Sequence, residues 1–176
     1  TAFIGQQRLS TGPLAEVAEQ LDLERDLRHA IENDRIDVEF QPIFRLRDER
    51  LTGFEALARW QHAERGAIGP SRFVPSAVQA GLITQLTLQV LAKACAGLAA
   101  LVEVSTLPLH MNVNVTSLDL CQRNFAGQVA KLLLRHGLQP QQLSLELTET
   151  MLMERLDAAR ETMAELRELG VGLCID

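Results

Sequence analysis

Cysteine is scarce in this chain and lysine scarcer. Cys95, Cys121 and Cys174 are widely spaced with no Cys-x-x-Cys pair. That excludes a disulfide framework or a cysteine-rich zinc site and fits buried, reduced thiols in a cytoplasm. Lys93 and Lys131 are the only lysines, so few amines are available for chemistry. Positive charge is not in excess: 17 Lys and Arg stand against 23 Asp and Glu, a formal charge of −6. This balance argues against a nucleic-acid or anionic-membrane surface, and an anionic ligand would need a local arginine or a bound metal. The apolar runs are broken by Gln, Lys, Glu or Thr before the ~18 residues of a membrane span, so no direct membrane contact is expected. No signal peptide opens the sequence. It begins at Thr1 and stops at Asp176 straight after a strand-like run, and both ends read as cuts.

What is present suffices for one domain with a real core: 176 residues, 47% hydrophobic and 23% charged. Apolar residues at helical spacing run from Leu14 through Val17, Leu21, Leu23 and Leu27 to Ile31, with Thr11 placed to cap and Pro13 in the first turn. Ile36–Phe40 and Leu51–Trp60 alternate as strands. Ser71–Ala80 and Ile83–Leu101 read as helices, the second with Ile83, Leu86, Val90, Ala94, Leu98 and Leu101 on one stripe. Leu109–Val115, Leu143–Leu147 and Val171–Ile175 are further strands. Between them lie a helix over Phe125–His136 and a stripe of Leu152, Leu156, Ala159, Met163 and Leu166 that ends at Gly170. Strands alternating with amphipathic helices predict βα units and a parallel sheet.

Strand parity singles out polar residues. Leu109, Met111, Val113 and Val115 share one face, so Asn112 and Asn114 share the other. Glu146 lies opposite three leucines, and Asp176 opposite Val171, Leu173 and Ile175. Asn114, Glu146 and Asp176 are 32 and 30 residues apart, about one βα unit each. In a (β/α)₈ barrel such strand ends line the mouth that carries the active site, and Glu55 would bring a fourth oxygen ligand there. Three carboxylates and an amide select Mg²⁺, Mn²⁺ or Ca²⁺ over zinc, and their charge calls for a cation. Each residue alone fits a solvated strand end or a helix cap better; the phased set points to a metal-dependent α/β barrel enzyme.

The same residues resemble the EAL-domain family of cyclic-di-GMP phosphodiesterases. Glu55-Ala56-Leu57 lies within Gly53–Trp60, preceded by Phe40-Gln41-Pro42-Ile43, where the family often has Tyr for Phe40. Pro70–Pro75, Gly81-Leu82-Ile83, Asn112–Thr116, Glu146–Thr150 and Leu169–Asp176 follow in the family's order. The resemblance covers about residues 22–176 and leaves 1–21 as a connector helix from an upstream sensory or diguanylate-cyclase domain. It implies the N-terminal two-thirds of a TIM-like (β/α) barrel that hydrolyses cyclic di-GMP to linear pGpG, with water activated by Mg²⁺ or Mn²⁺. It implies Glu55, Asn114, Glu146 and Asp176 as metal ligands and Glu55 as catalytic. Gln41, Leu57 and Arg59 would contact the dinucleotide, and Glu149 would be a catalytic residue supporting the metal-site loop. A cytoplasmic homodimer is the expected form. A non-catalytic cyclic-di-GMP receptor or dimerisation module is the alternative.

Two departures from the family pattern stand out. Val78 replaces a frequent Glu and reads as a helix-surface change. The family also continues beyond Asp176 with a second Asp, a Phe-Gly-Thr-Gly loop, a strand lysine and a further Glu and Gln. Lys93 and Lys131 lie in helices and cannot replace that lysine, so residues 1–176 alone are expected to be inactive. His29, His62, His110 and His136 show no metal spacing and read as surface or packing residues, though His110 shares the parity of Asn112. Trp60 reads as a barrel-wall aromatic rather than a guanine-stacking one. Cys174 reads as a small buried thiol near the site, and Met151, Met153 and Met163 as mostly core.

Overall fold

The computed structural model describes residues 12–147 and 149–175; of residues 13–14 and 149–156 it describes the backbone. Helix α1 (Pro13–Glu32) begins at an extended Gly12 with proline in its first turn. Thr11, expected as the cap, lies outside the described residues. Among the described side chains of its apolar stripe Leu23, Leu27 and Ile31 are buried, together with Ala30, while Val17 and Leu21 are exposed. The boundary at residues 21 and 22 therefore falls inside one continuous helix. Asp34 turns the chain in the left-handed region (φ 54°). Lys93 holds this turn: its Nζ donates to the carbonyls of Asp34 and Ile36 at 3.2 and 2.6 Å and pairs with Asp34 Oδ1 at 3.0 Å. One of the two lysines is thus committed to structure.

Strand β1 (Ile36–Arg45) and strand β2 (Arg50–His62) form an antiparallel hairpin, and β3 (Gly66–Ile68) folds back on the end of β2. The remaining elements are α2 (Pro70–Gln79), α3 (Ile83–Val104), β4 (His110–Asn114), α4 (Ser117–Leu120), α5 (Phe125–Arg135), β5 (Leu143–Leu147), α6 (Glu149–Leu169) and β6 (Gly172–Ile175). The sheet order is β1-β2-β4-β5-β6, with β2, β4, β5 and β6 parallel. The sheet is therefore mixed, not parallel throughout as the alternation suggests. The connection over residues 46–49 is far too short for a parallel crossover, which needs a dozen or more residues. Strand β1 also runs five residues past Phe40 in spite of Pro42. A proline without an N–H is tolerated there because β1 has β2 as its only strand partner among the described residues.

The apolar parity of the inner strands holds. Met111, Val113, Leu143, Leu145 and Leu147 are buried beneath the helices, and Phe125, Val129, Leu133 and Leu166 complete that layer. At β6 the pattern weakens: Val171 is buried, Leu173 half-buried and Ile175 exposed, since β6 is the last strand described. Helix α3 is 22 residues long and apolar enough, by length and composition, to cross a membrane, despite the polar residues that interrupt it. Its stripe from Ile83 to Leu98 instead packs into the core, so it is the central helix of the sheet's covered face.

Two close approaches fix that packing. Phe40 points outward from β1 onto α3, where its ring lies against Gly97, and it meets Phe54 edge-on with centroids 6.5 Å apart. A Cβ at position 97 would overlap the ring, and a tyrosine hydroxyl would extend from the Cζ atom already nearest Gly97. Phenylalanine therefore suits this position, and the substitution lies on the face away from the candidate site. Overpacking a well-filled core costs typically ~1–3 kcal/mol. Gly97→Ala is expected to lower unfolding stability by about that amount in chemical denaturation; an unchanged midpoint would show that the contact is slack.

Candidate metal and ligand site

The second close approach places the site. Gly53 lies against the His110 backbone carbonyl, and any Cβ at 53 would collide with it. That contact brings β2 and β4 together in a register that sets Glu55 beside Asn112, while β4 and β5 set Asn114 beside Glu146. All four side chains project from the face opposite the helix-covered leucines. Two hydrogen bonds then run diagonally. Asn114 Nδ2 donates to Glu55 Oε1 at 2.7 Å, and Asn112 Nδ2 donates to Glu146 Oε1 at 2.6 Å. Strand β4 thus clamps a carboxylate from each neighbouring strand. Glu55 and Glu146 are half-buried, and Asn114 is exposed at the strand end.

The structure brings together three of the four expected metal ligands, Glu55, Asn114 and Glu146. Asp176 lies outside the described residues, and of Glu149 only its backbone position opening α6 is described. Among the described residues no three or more His, Cys, Asp or Glu side chains form a metal-holding group. The Glu55 and Glu146 carboxylates and the Asn114 amide carbonyl are hard oxygen donors of the kind a divalent cation takes, and the amides bonded to the two carboxylates bring no positive charge of their own. One atom of the cluster is buried without a hydrogen-bond partner among the described residues, Asn112 Oδ1.

The expected ligand contacts lie along the hairpin. In the β1–β2 register Gln41 faces Glu55, Glu39 faces Leu57 and Asp37 faces Arg59. Cross-strand partners share a face, so all six belong to the site face. Arg59 Nε donates to Glu39 Oε2 at 2.7 Å and its Nη1 to the Ala58 carbonyl at 3.1 Å. Leu57 and Asn114 border a cleft of about 390 Å³ whose walls include Ser71, Val74 and Pro75 of α2 and Thr116. Glu39 and Asn112 had no expected role. The alternation of β1 and β4 put them on this face, but their partners depend on register between distant strands.

Beyond Asn114 the chain turns on a buried carboxylate. Asp119 Oδ2 accepts from the Thr116 N–H at 2.8 Å, the Thr116 hydroxyl at 2.8 Å and the Thr87 hydroxyl at 3.0 Å. These bonds close a capping box on α4 and tie it to α3. Hydrogen bonds to a charged group contribute roughly 1.5–3 kcal/mol each when buried. Asp119→Ala is expected to lower stability by about 3 kcal/mol and to loosen the segment that carries Asn114. Hydrogen exchange at Thr116 and Ser117 checks this, and unchanged protection would show that the strand end holds without Asp119.

The other side chains sort plainly. Trp60 is buried on the far face, edge-on to Phe73 with centroids 6.1 Å apart, so it is a wall residue. His62 Nδ1 accepts the N–H groups of Glu64 and Arg65, and its Nε2 meets Asp26 Oδ2 at 3.2 Å, tying α1 to the β2–β3 turn. His110 is half-buried below Asn112, and Val78 is exposed on α2 as expected. Met163 packs against the core; the side chains of Met151 and Met153 lie outside the described residues. Of the three cysteines only Cys95 is buried, and burial pushes its thiol up to about 11. Cys174 is exposed rather than buried, because β6 has no further strand beside it among the described residues. It does lie next to the site, in register with Glu146.

A mixed α/β sheet with carboxylates and amides gathered at the C-terminal ends of adjacent parallel strands is part of a TIM-like barrel. The EAL-domain family profile matches residues 24–176, and the chain belongs to that family. The bifunctional diguanylate cyclase/cyclic di-GMP phosphodiesterase MucR of Pseudomonas aeruginosa is 35% identical over 162 residues, 92% of this chain and 24% of that protein. The solved complex of the PaMucR phosphodiesterase with c-di-GMP superposes with a TM-score of 0.82 at 34% identity, over 88% of this chain and 63% of that one. The manganese/cy-diGMP complex of Klebsiella pneumoniae BlrP1 superposes with a TM-score of 0.66 at 26% identity, over 81% of this chain and 34% of that one. The chain thus spans about a quarter of MucR's length.

Proposed function

We propose that this chain is part of a cyclic-di-GMP phosphodiesterase domain that uses Mg²⁺ or Mn²⁺, within a larger cytoplasmic signalling protein. The observation that carries the reading is the pair of crossed bonds, Asn114 to Glu55 and Asn112 to Glu146, at adjacent parallel strand ends. Glu55, Asn114 and Glu146, with Asp176, would hold the cation. When bound, such an ion polarises a phosphoryl oxygen and makes water a stronger nucleophile at neutral pH. Hydrolysis forms one P–O bond from water and breaks one ester P–O bond, which opens the ring to a linear dinucleotide.

The chain's own residues bind and orient the ligand. The net charge is negative and the site face carries Asp37, Glu39, Glu55 and Glu146, so Arg59 on that face is a cation that a phosphate can use. Its bond to Glu39 is a surface ion pair, worth typically 0–1 kcal/mol, and a phosphate can displace it at small cost. Gln41 adds an amide opposite Glu55, and Leu57 supplies an apolar wall beside the cleft.

Chelation of the full-length protein should abolish formation of pGpG, and added Mn²⁺ should restore it. Glu55→Gln should reduce turnover at least 10–100-fold, the usual effect of disturbing a metal site. Full turnover with chelator present would remove the metal from the reaction, and binding of cyclic di-GMP without turnover would make the protein a receptor.

Arg59 and Glu39 give a test of opposite signs. In calorimetric titration with cyclic di-GMP, Arg59→Ala should weaken binding about tenfold or more, as loss of a charge-assisted bond does. Glu39→Gln should tighten it a few-fold, because it removes a competing carboxylate of only ~0–1 kcal/mol. Weaker binding in both variants would mean that the ion pair itself forms the ligand surface.

A further inference from the structure

Asn112 occupies the centre of the crossed cluster without being one of the four ligands. It lies on β4 between Glu55, its register partner on β2, and Ser144, its register partner on β5. Its amide has two ends with opposite needs. Nδ2 donates to Glu146 Oε1 at 2.6 Å, a short bond to a charged acceptor. Oδ1 is buried and has no hydrogen-bond partner among the described residues. Turning the amide over would give that carbonyl no better partner, since it would then face the Glu146 carboxylate, oxygen against oxygen. The orientation is therefore dictated by Glu146, and the buried carbonyl is the cost of maintaining it.

We infer that Asn112 is a positioning residue of the metal site, holding the Glu146 carboxylate in the orientation a divalent cation requires, at the expense of its own unsatisfied carbonyl. This rests on the metal reading above and adds to it a residue that touches neither ion nor dinucleotide. Asn112 and Asn114 sit on one strand and divide the work: Asn114 clamps Glu55, and Asn112 clamps Glu146. Partners that orient ligating carboxylates matter nearly as much as the ligands, typically 10–100-fold in metal affinity. A residue selected for packing would be expected to satisfy both ends of its amide; Asn112 satisfies only the end that faces the site.

The test separates metal binding from stability in the full-length protein. Asn112→Leu keeps the branched shape and the number of heavy atoms while removing both polar atoms, and Asn112→Ala removes the amide without adding bulk. Mn²⁺ titration by electron paramagnetic resonance should show a Kd raised 10–100-fold in both variants. The metal-free melting temperature of Asn112→Leu should stay equal to or above that of the wild type, since a buried unsatisfied carbonyl is lost. Saturating Mn²⁺ should recover much of kcat with KM for cyclic di-GMP unchanged. Mn²⁺ affinity within twofold of wild type in both variants would overturn the inference. So would failure of both variants to fold, or a lower melting temperature with intact affinity, either of which marks a packing residue. If the wild type itself binds no Mn²⁺, the metal reading fails, and the inference with it.

Discussion

Two half-buried carboxylates on neighbouring parallel strands, each held by one neutral amide from the strand between them, form the constraint around which this fold is arranged. Glu55 and Glu146 cannot move far into solvent, because Asn114 and Asn112 hold them from β4. Neutral amides orient negative charge without cancelling it, so the cluster favours a cation. Arg59 stands further along β2 and is engaged by Glu39. The Arg59 charge is thus paired with Glu39 on β1.

The rest of the structure keeps these strand ends in register. The absence of a side chain at Gly53 lets β2 approach β4 at His110, two residues below Glu55 and Asn112. The leucine and valine faces of β4 and β5 are buried under α3, α5 and α6, so a slip of one residue would bury the polar set and expose the apolar one. Asp119 fixes the chain just past Asn114, and Lys93 fixes the start of β1 that carries Gln41 and Glu39.

Much of this was legible in the residues because β4 and β5 are covered on one face only. Their strict alternation placed Asn112, Asn114 and Glu146 on one face, and Trp60 was read as a wall aromatic. What the alternation did not carry was direction and partnership. The antiparallel course of β1 followed from a four-residue connection that reads only as a charged turn. The short β3 and α4 are too brief for a periodic signal. The burial expected of Cys174 failed because parity says nothing about whether a strand has a neighbour. The diagonal bonds and the Glu39–Arg59 pair join residues 20 to 59 positions apart, and their geometry exists only once the register is set.

The central claim is that these strand ends hold a divalent cation. Anomalous diffraction at the manganese edge, from crystals of the full-length protein grown with Mn²⁺, tests it most directly. The account predicts a peak ~2.1 Å from oxygens of Glu55, Asn114 and Glu146, with Asn112 still bonded to Glu146 and outside the coordination sphere. A fully occupied manganese peak elsewhere, with none near Glu55, Asn114 and Glu146, would contradict it.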